Sequence, residues 1–254
     1  VGDYVLFQMY GPFRQSLIDE HLFYIEQAQK RLLSQFTDIE KEADSAAEEW
    51  LNQHKHYFDP DRDDPGSFYE TANNAGIEFY RLLSDMRNQT YLNVVAGMFH
   101  EWDKKLRSWL VGEVHHWHLG EKAAFKIWAA NFSEIFDLLE CFSWPVRTTE
   151  YFGKLNACRL VVNVYKHGEG NAFADLKRDH PEYLSSFAEE LSWYRMVNHT
   201  HLLVNDTQLQ SFSDAIVAFW QGVPENTFES KIYELPSWLC NALSKDHEVT
   251  RRKK

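Results

Sequence analysis

Cysteine is scarce. Cys141, Cys158 and Cys240 are the only three, odd in number, far apart and set among apolar neighbours. They exclude a disulfide framework and a cysteine-based zinc set, and they make a reducing, cytosolic compartment the expectation. Proline (7) and glycine (11) are few for 254 residues, which favours long helices over many short strands. Positive charge is also in short supply. Lys and Arg number 26 against 38 Asp and Glu, and the formal net charge of -12 opposes non-specific binding to a polyanion. The one basic cluster, Arg251-Arg-Lys-Lys254, reads as a solvated tail.

No apolar run approaches the roughly 18 residues that span a bilayer. Asn88-Gln-Thr90 and Asn198-His-Thr200 fit a glycosylation acceptor, but without a secretory leader they read as chance matches. A soluble protein with no membrane association is expected. A glycine-rich phosphate loop, a serine-nucleophile elbow, a deaminase zinc pattern and a His-Glu-x-x-His pair are all lacking, so no metal and no cofactor are expected. His115-His-Trp-His118 sets two histidines one turn apart, but two ligands do not make a metal site. Near a helix C-terminus such residues are favoured by the helix dipole.

What is present is apolar and aromatic. Hydrophobic residues make up 44% and aromatics 15%, the content of a packed globular chain. Helical periodicity runs through residues 12–56, where Thr37-Asp-Ile-Glu40 fits a capping box and suggests two helices. Residues 59–66 are dense in turn formers, and helical spacing resumes over 67–86. Over 88–118, Leu92, Val95, Phe99, Trp102, Leu106 and Trp109 advance by alternating threes and fours, as a buried seam requires. Shorter helices are expected at 121–130 and 133–142, then at 147–167, 172–179 and 182–191. Residues 201–204 are the one credible extended segment, Asn205-Asp206 begins a cap, and 207–221 is amphipathic. Tyr233, Leu235, Trp238 and Leu239 suggest a docked tail. The expected architecture is all-α, a single-domain helical bundle: residues 1–60 form a long helix or helix pair packing on a core of 61–223, and 224–254 form the tail.

Within this pattern one helix carries an unusual strip. Arg159, Asn163 and His167 recur every four residues in Arg159-Leu-Val-Val-Asn-Val-Tyr-Lys-His-Gly-Glu-Gly170, drifting about 40° per step, with apolar residues on both flanks. Gly168 is placed as a left-handed cap. Histidine moves protons near neutrality, arginine is a permanent fork of donors for phosphate oxygens, and asparagine orients either. The set suits metal-free phosphodiester chemistry on RNA, in which the 2′-hydroxyl attacks its own phosphate. It equally suits a polar lock in which Asn163 and His167 satisfy each other inside the bundle. A second stripe of His100, Asp103 and Arg107 is open to the same two readings, as a completion of the first strip or as an intrahelical ion pair.

The segment Cys158-Arg-Leu-Val-Val-Asn-Val-Tyr-Lys-His-Gly-Glu-Gly170 resembles the C-terminal helix of all-helical bacterial proteins of the HEPN type (higher eukaryotes and prokaryotes nucleotide-binding). The segments around His100-Glu-Trp-Asp103 and Asp214-Ala-Ile-Val-Ala-Phe-Trp220 extend the resemblance over roughly 88–222. It implies a HEPN-like helical core, a homodimer that brings two motifs together, and metal-independent RNA cleavage by a toxin or phage-defence effector, with a cognate antitoxin or defence protein as partner. In that family four to six residues separate an arginine from the histidine. Here Val162 stands in that place, and seven residues separate Arg159 from His167. At 1.5 Å per residue that is about 12 Å along the axis. Lys166 or a partner's arginine is the substitute the pattern would need. The expected site is therefore His167 as general acid–base, Asn163 as orienter and Arg159 or Lys166 as phosphate ligand, with His100 and Asp103 in support. The alternative is a non-catalytic helical interaction or dimerisation module.

Overall fold

The computed structural model describes residues 3–185, 196–232 and 234–252, with side chains through 248. Among the described residues the chain is all-α apart from one small ribbon. Helix α1 spans Gly11–Arg31 and α2 spans Ile39–His54, joined by a 3-10 turn at Leu33–Phe36. The expected split thus occurs, but by different chemistry. Thr37 Oγ1 donates back to the Ser34 carbonyl, and the N-cap of α2, Asp38, makes no side-chain cap bond.

Helix α3 runs unbroken over Pro65–Trp117, 53 residues or about 80 Å. Asp64 starts it by accepting the Ser67 N–H, with Pro65 at the first turn. The two helices expected at 67–86 and 88–118 are therefore one. The polar stretch near Asn88 that breaks the apolar period is half-buried, and Asn88 Nδ2 donates to the Leu202 carbonyl at 2.9 Å. The two halves of α3 differ sharply in burial. Before Leu92 only Ala72 and Gly76 are buried, and from Leu92 onward eleven residues are. The N-terminal half and α2 form a two-helix arm, with Trp50 against Phe68 at 5.2 Å. Gly76 allows close approach, since a Cβ there would sit 2.9 Å from the Ala43 carbonyl oxygen. The C-terminal half of α3 belongs to the body.

That body adds α4 (Glu121–Ala129), α5 (Phe132–Glu140), α6 (Glu150–His167), α7 (Asn171–Asp179) and α8 (Asp206–Gly222). Capping boxes at Asn131/Glu134 and Asn205/Gln208 set the starts of α5 and α8. The core is one aromatic-rich cluster in which Trp102, Phe136, Trp144 and Phe219 interlock. Helix α9 (Ser237–Arg252) turns the expected tail into a helix packed on α4.

Several local expectations are corrected. The helix expected from 147 starts at Glu150, and Arg147 lies in a 3-10 turn bonded to Glu140, Asp137 and Ser133. Of the helix expected over 182–191, residues 186–191 lie outside the described residues. Its start is a 3-10 turn at Pro181–Tyr183. The extended segment at 201–204 reduces to one bridge, Leu202 to Leu184. The strands that do form, β1 (Val5–Gln8) and β2 (Asn226–Phe228), pair antiparallel with Phe7 opposite Thr227. They had no sequence signal because they are short and held from outside. The indole N–H groups of Trp109 and Trp117 donate to the Gln8 and Leu6 carbonyls, while Phe7 fills the core.

Candidate functional site

Helix α6 carries the strip at the edge of the body. Leu155, Cys158, Val161 and Val162 anchor it in the core, leaving Arg159 and Asn163 half-buried and His167 exposed on the last helical residue. Gly168 ends the helix at φ 70°, the positive value for which glycine was expected.

The three side chains do not converge. Arg159 turns back toward the start of the helix, and its Nε and Nη2 donate to Asn156 Oδ1 at 3.1 and 2.9 Å. Its guanidinium also covers the Phe132 ring at 5.3 Å. Burial lowers its pKa, and the charge of Asp175 on α7 acts in the opposite sense. Asn163 and His167 make no side-chain hydrogen bond or ion pair to a described residue. The mutual lock expected of that pair is therefore not formed. Lys166 is exposed, and Tyr165 donates to Asn93 Oδ1 on α3 at 2.8 Å. The histidine end of the strip is open and the arginine end is tied down.

The second stripe is structural. Asp103 accepts Arg107 Nε at 2.8 Å, and Arg107 Nη1 donates to the carbonyls of Ile127 and Ala130 at 2.8 and 2.7 Å. A buried guanidinium thus closes the C-terminal end of α4, where helix carbonyls lack partners. His100 is exposed beside the Phe99 ring and joins neither Asp103 nor the α6 strip. The two stripes are separated by aromatic packing, with Phe132 between Phe99 and Arg159.

The histidine run also resolves into structure. His118 Nε2 bonds Asp246 Oδ2 at 3.0 Å, and the same carboxylate accepts the N–H groups of Lys122 and Ala123 at the start of α4. Burial works against the charge of Asp246, but these hydrogen bonds hold its pKa below the usual value. Gly120 makes room, because a Cβ there would lie 2.0 Å from Asp246 Oδ2. Among the described residues no three His, Cys, Asp or Glu side chains gather as metal ligands. No helix among them is long and apolar enough to cross a membrane.

Two features escaped sequence reasoning. The arm bears an apolar stripe of Phe79, Leu82 and Met86, spaced i, i+3, i+7 and exposed by 39%, 52% and 60%. The body has a cleft of about 480 Å³ between α1, α3 and α8, into which His21 is built. His21 was visible as a histidine in the apolar series Leu17, Ile18, Ile25, Ala28, but nothing local marked its partner. Comparison with family models, with curated proteins and with solved structures finds no match to this chain.

Proposed function

We propose that this protein is a non-catalytic helical interaction module whose α2/α3 arm receives a basic, amphipathic segment of a partner protein. The carrying observation is the Phe79/Leu82/Met86 stripe and its charged frame. On one side Glu42 and Glu49 of α2, with Lys41, line a shallow groove against Phe79. On the other, Glu78 and Asp85 lie about 40° to 120° around α3 from the stripe at 100° per residue, and both pair with Arg81, leaving that edge with one net negative charge. Residues 38–86 hold 13 Asp and Glu against four Lys and Arg, so most of the net charge of -12 sits on the arm. An apolar strip between acidic edges matches a helix with one apolar face and lysine or arginine beside it. The position of Arg159, bonded to Asn156 and facing away from His167, supports the non-catalytic side of this reading.

The test uses a labelled amphipathic Leu/Lys helical peptide and a scrambled peptide of identical composition, with fluorescence anisotropy against the full chain. Saturable binding of the amphipathic form alone, lost in Phe79→Glu/Met86→Glu, is the expected result. Equal binding of both peptides, or binding unaffected by the double substitution, defeats the proposal.

A second reading is favoured by the exposure of His167 and its lack of a partner among the described residues. In it the protein is a HEPN-type, metal-independent ribonuclease acting as a toxin or defence effector. His167 moves the proton, and the cation comes from Lys166 or from a second copy in a homodimer. Incubation with total RNA tests it: 2′,3′-cyclic phosphate ends that vanish with His167→Ala support cleavage, and intact RNA at every concentration ends this reading.

A further inference from the structure

The cleft between α1, α3 and α8 lies in the body, apart from both the arm and the α6 strip. One face of α1 lines it from Leu17 to Arg31, about 21 Å along the axis. The wall opposite is apolar and buried: Met98 and Trp102 of α3, Ile216 and Trp220 of α8. At about 480 Å³ the cleft falls in the size range of small-molecule sites. His21 is engaged by Ser213, with Nε2 to Oγ at 2.9 Å, and the indole N–H of Trp102 is buried without an acceptor among the described residues.

The two ends of the cleft differ in charge. Toward Leu17, Glu20 pairs with Lys105, and next to Trp102, Glu101 pairs with Lys104, so these charges cancel. Arg31 stands at the other end, about 16 Å beyond Glu20 along α1, exposed in the last helical turn. Its Nε donates at 2.7 Å to Gln27 Oε1, a neutral group, and no carboxylate pairs with it among the described residues. Leu32 and Phe23, 49% and 64% exposed, leave apolar surface uncovered at the mouth. The apolar depth lies away from Arg31. Arg14 Nη2 donates to the Val223 carbonyl at 2.6 Å and His21 meets Ser213, so α8 runs antiparallel to α1 and carries Ile216 and Trp220 toward Leu17.

An elongated cleft with an apolar end and one uncancelled cation at the other matches a ligand with a long apolar chain and a single negative head. We propose that this cleft binds a free fatty acid as its carboxylate, the chain against Trp102, Ile216 and Trp220 and the head at Arg31. Burial of the chain supplies most of the affinity. The guanidinium, a planar fork of donors matched to a carboxylate, fixes the direction in which the chain lies.

The test is isothermal titration of the full chain at neutral pH with decanoate, decanol and decyltrimethylammonium, each below its micelle concentration. Decanoate is expected to bind one-to-one and more tightly than the cation. Arg31→Gln should weaken decanoate about fivefold, the worth of an exposed charge pair, and leave decanol unchanged. Gln27→Glu keeps the guanidinium but gives it a carboxylate of its own, and should have the same effect. Arg31 is exposed and Gln27 half-buried, so neither change threatens the fold. Ala28→Leu adds bulk to a lining residue and should weaken acid and alcohol alike; if it does not fold, the other two variants decide. Absence of saturable decanoate binding, a cation bound as tightly as the acid, Arg31→Gln or Gln27→Glu binding decanoate like the parent, or a folded Ala28→Leu without effect each overturns the proposal. So does sedimentation showing a dimer that decanoate dissociates, since the occupant is then a second copy of the chain.

Discussion

Lowering the pH should destabilise this protein through His21, by an amount the structure sets. The imidazole is neutral in the folded state because burial pushes its pKa from 6.5 down to about 4. In the unfolded chain it returns to the ordinary value, so between those limits the unfolded state binds more protons. Stability therefore rises with pH across this window and falls as the solution is acidified from 6.5 toward 4. Two and a half units at about 1.4 kcal/mol per unit give a full effect of about 3 kcal/mol, of which about 2.5 kcal/mol is expressed at pH 4.5. The neighbouring groups act in opposite senses: Lys105 also disfavours the imidazolium, while the Ser213 backbone and Asp214 favour it without offsetting burial. The perturbation is His21→Gln, which retains a polar partner for Ser213 and removes the titration. Urea unfolding of both proteins at pH 7 and pH 4.5 separates this residue from the carboxylates, which titrate in both. The gap between parent and variant should shrink or reverse by about 2.5 kcal/mol on acidification. If the two proteins lose stability in parallel, His21 is not held neutral by its surroundings and the reasoning fails.

Three further outcomes follow from the same structure. Asp246→Ala removes the acceptor of two α4 N–H groups and of His118, and should cost about 2–3 kcal/mol by urea unfolding, with Asp246→Asn intermediate. Arg107→Lys keeps the charge but cannot serve Asp103 and two α4 carbonyls from one fork, so a loss of about 2 kcal/mol is expected, read as a lower melting temperature. His167→Ala touches an exposed side chain without a partner among the described residues and should leave stability within about 0.5 kcal/mol of the parent; a larger loss means His167 has a structural role.

Much of the fold was legible before any coordinates. The alternating apolar steps from Leu92 to Trp109 and the caps at Asn205 and Gly168 are local signals that stand where they were expected, and the loop expected at 59–66 ends at Asp64, because Pro65 and Gly66 already open α3. Local signals failed where the neighbours decide. The apparent break near Asn88 was a run of polar residues on one continuous helix, where Asn88 bonds the Leu202 carbonyl. The β1/β2 ribbon depends on the indoles of Trp109 and Trp117, about a hundred residues away from β1. At the candidate site the positions of Arg159, Asn163 and His167 on one strip were legible, but their directions were not. Spacing places Cβ atoms, whereas Asn156 and Phe132 determine where the guanidinium goes.

The amino-acid sequence by itself determined a helical, acidic chain with one polar strip on α6, because composition and the 3.6-residue period act within a few turns. Only the tertiary structure decided which polar groups meet. His21 and Ser213 are 192 residues apart, and His118 and Asp246 are 128 apart. Such pairs depend on the rotation and axial offset of whole helices, which the summed packing of the core sets and no short window encodes. The same packing stops at Leu92 on α3, and that boundary leaves the acidic arm with its apolar stripe uncovered.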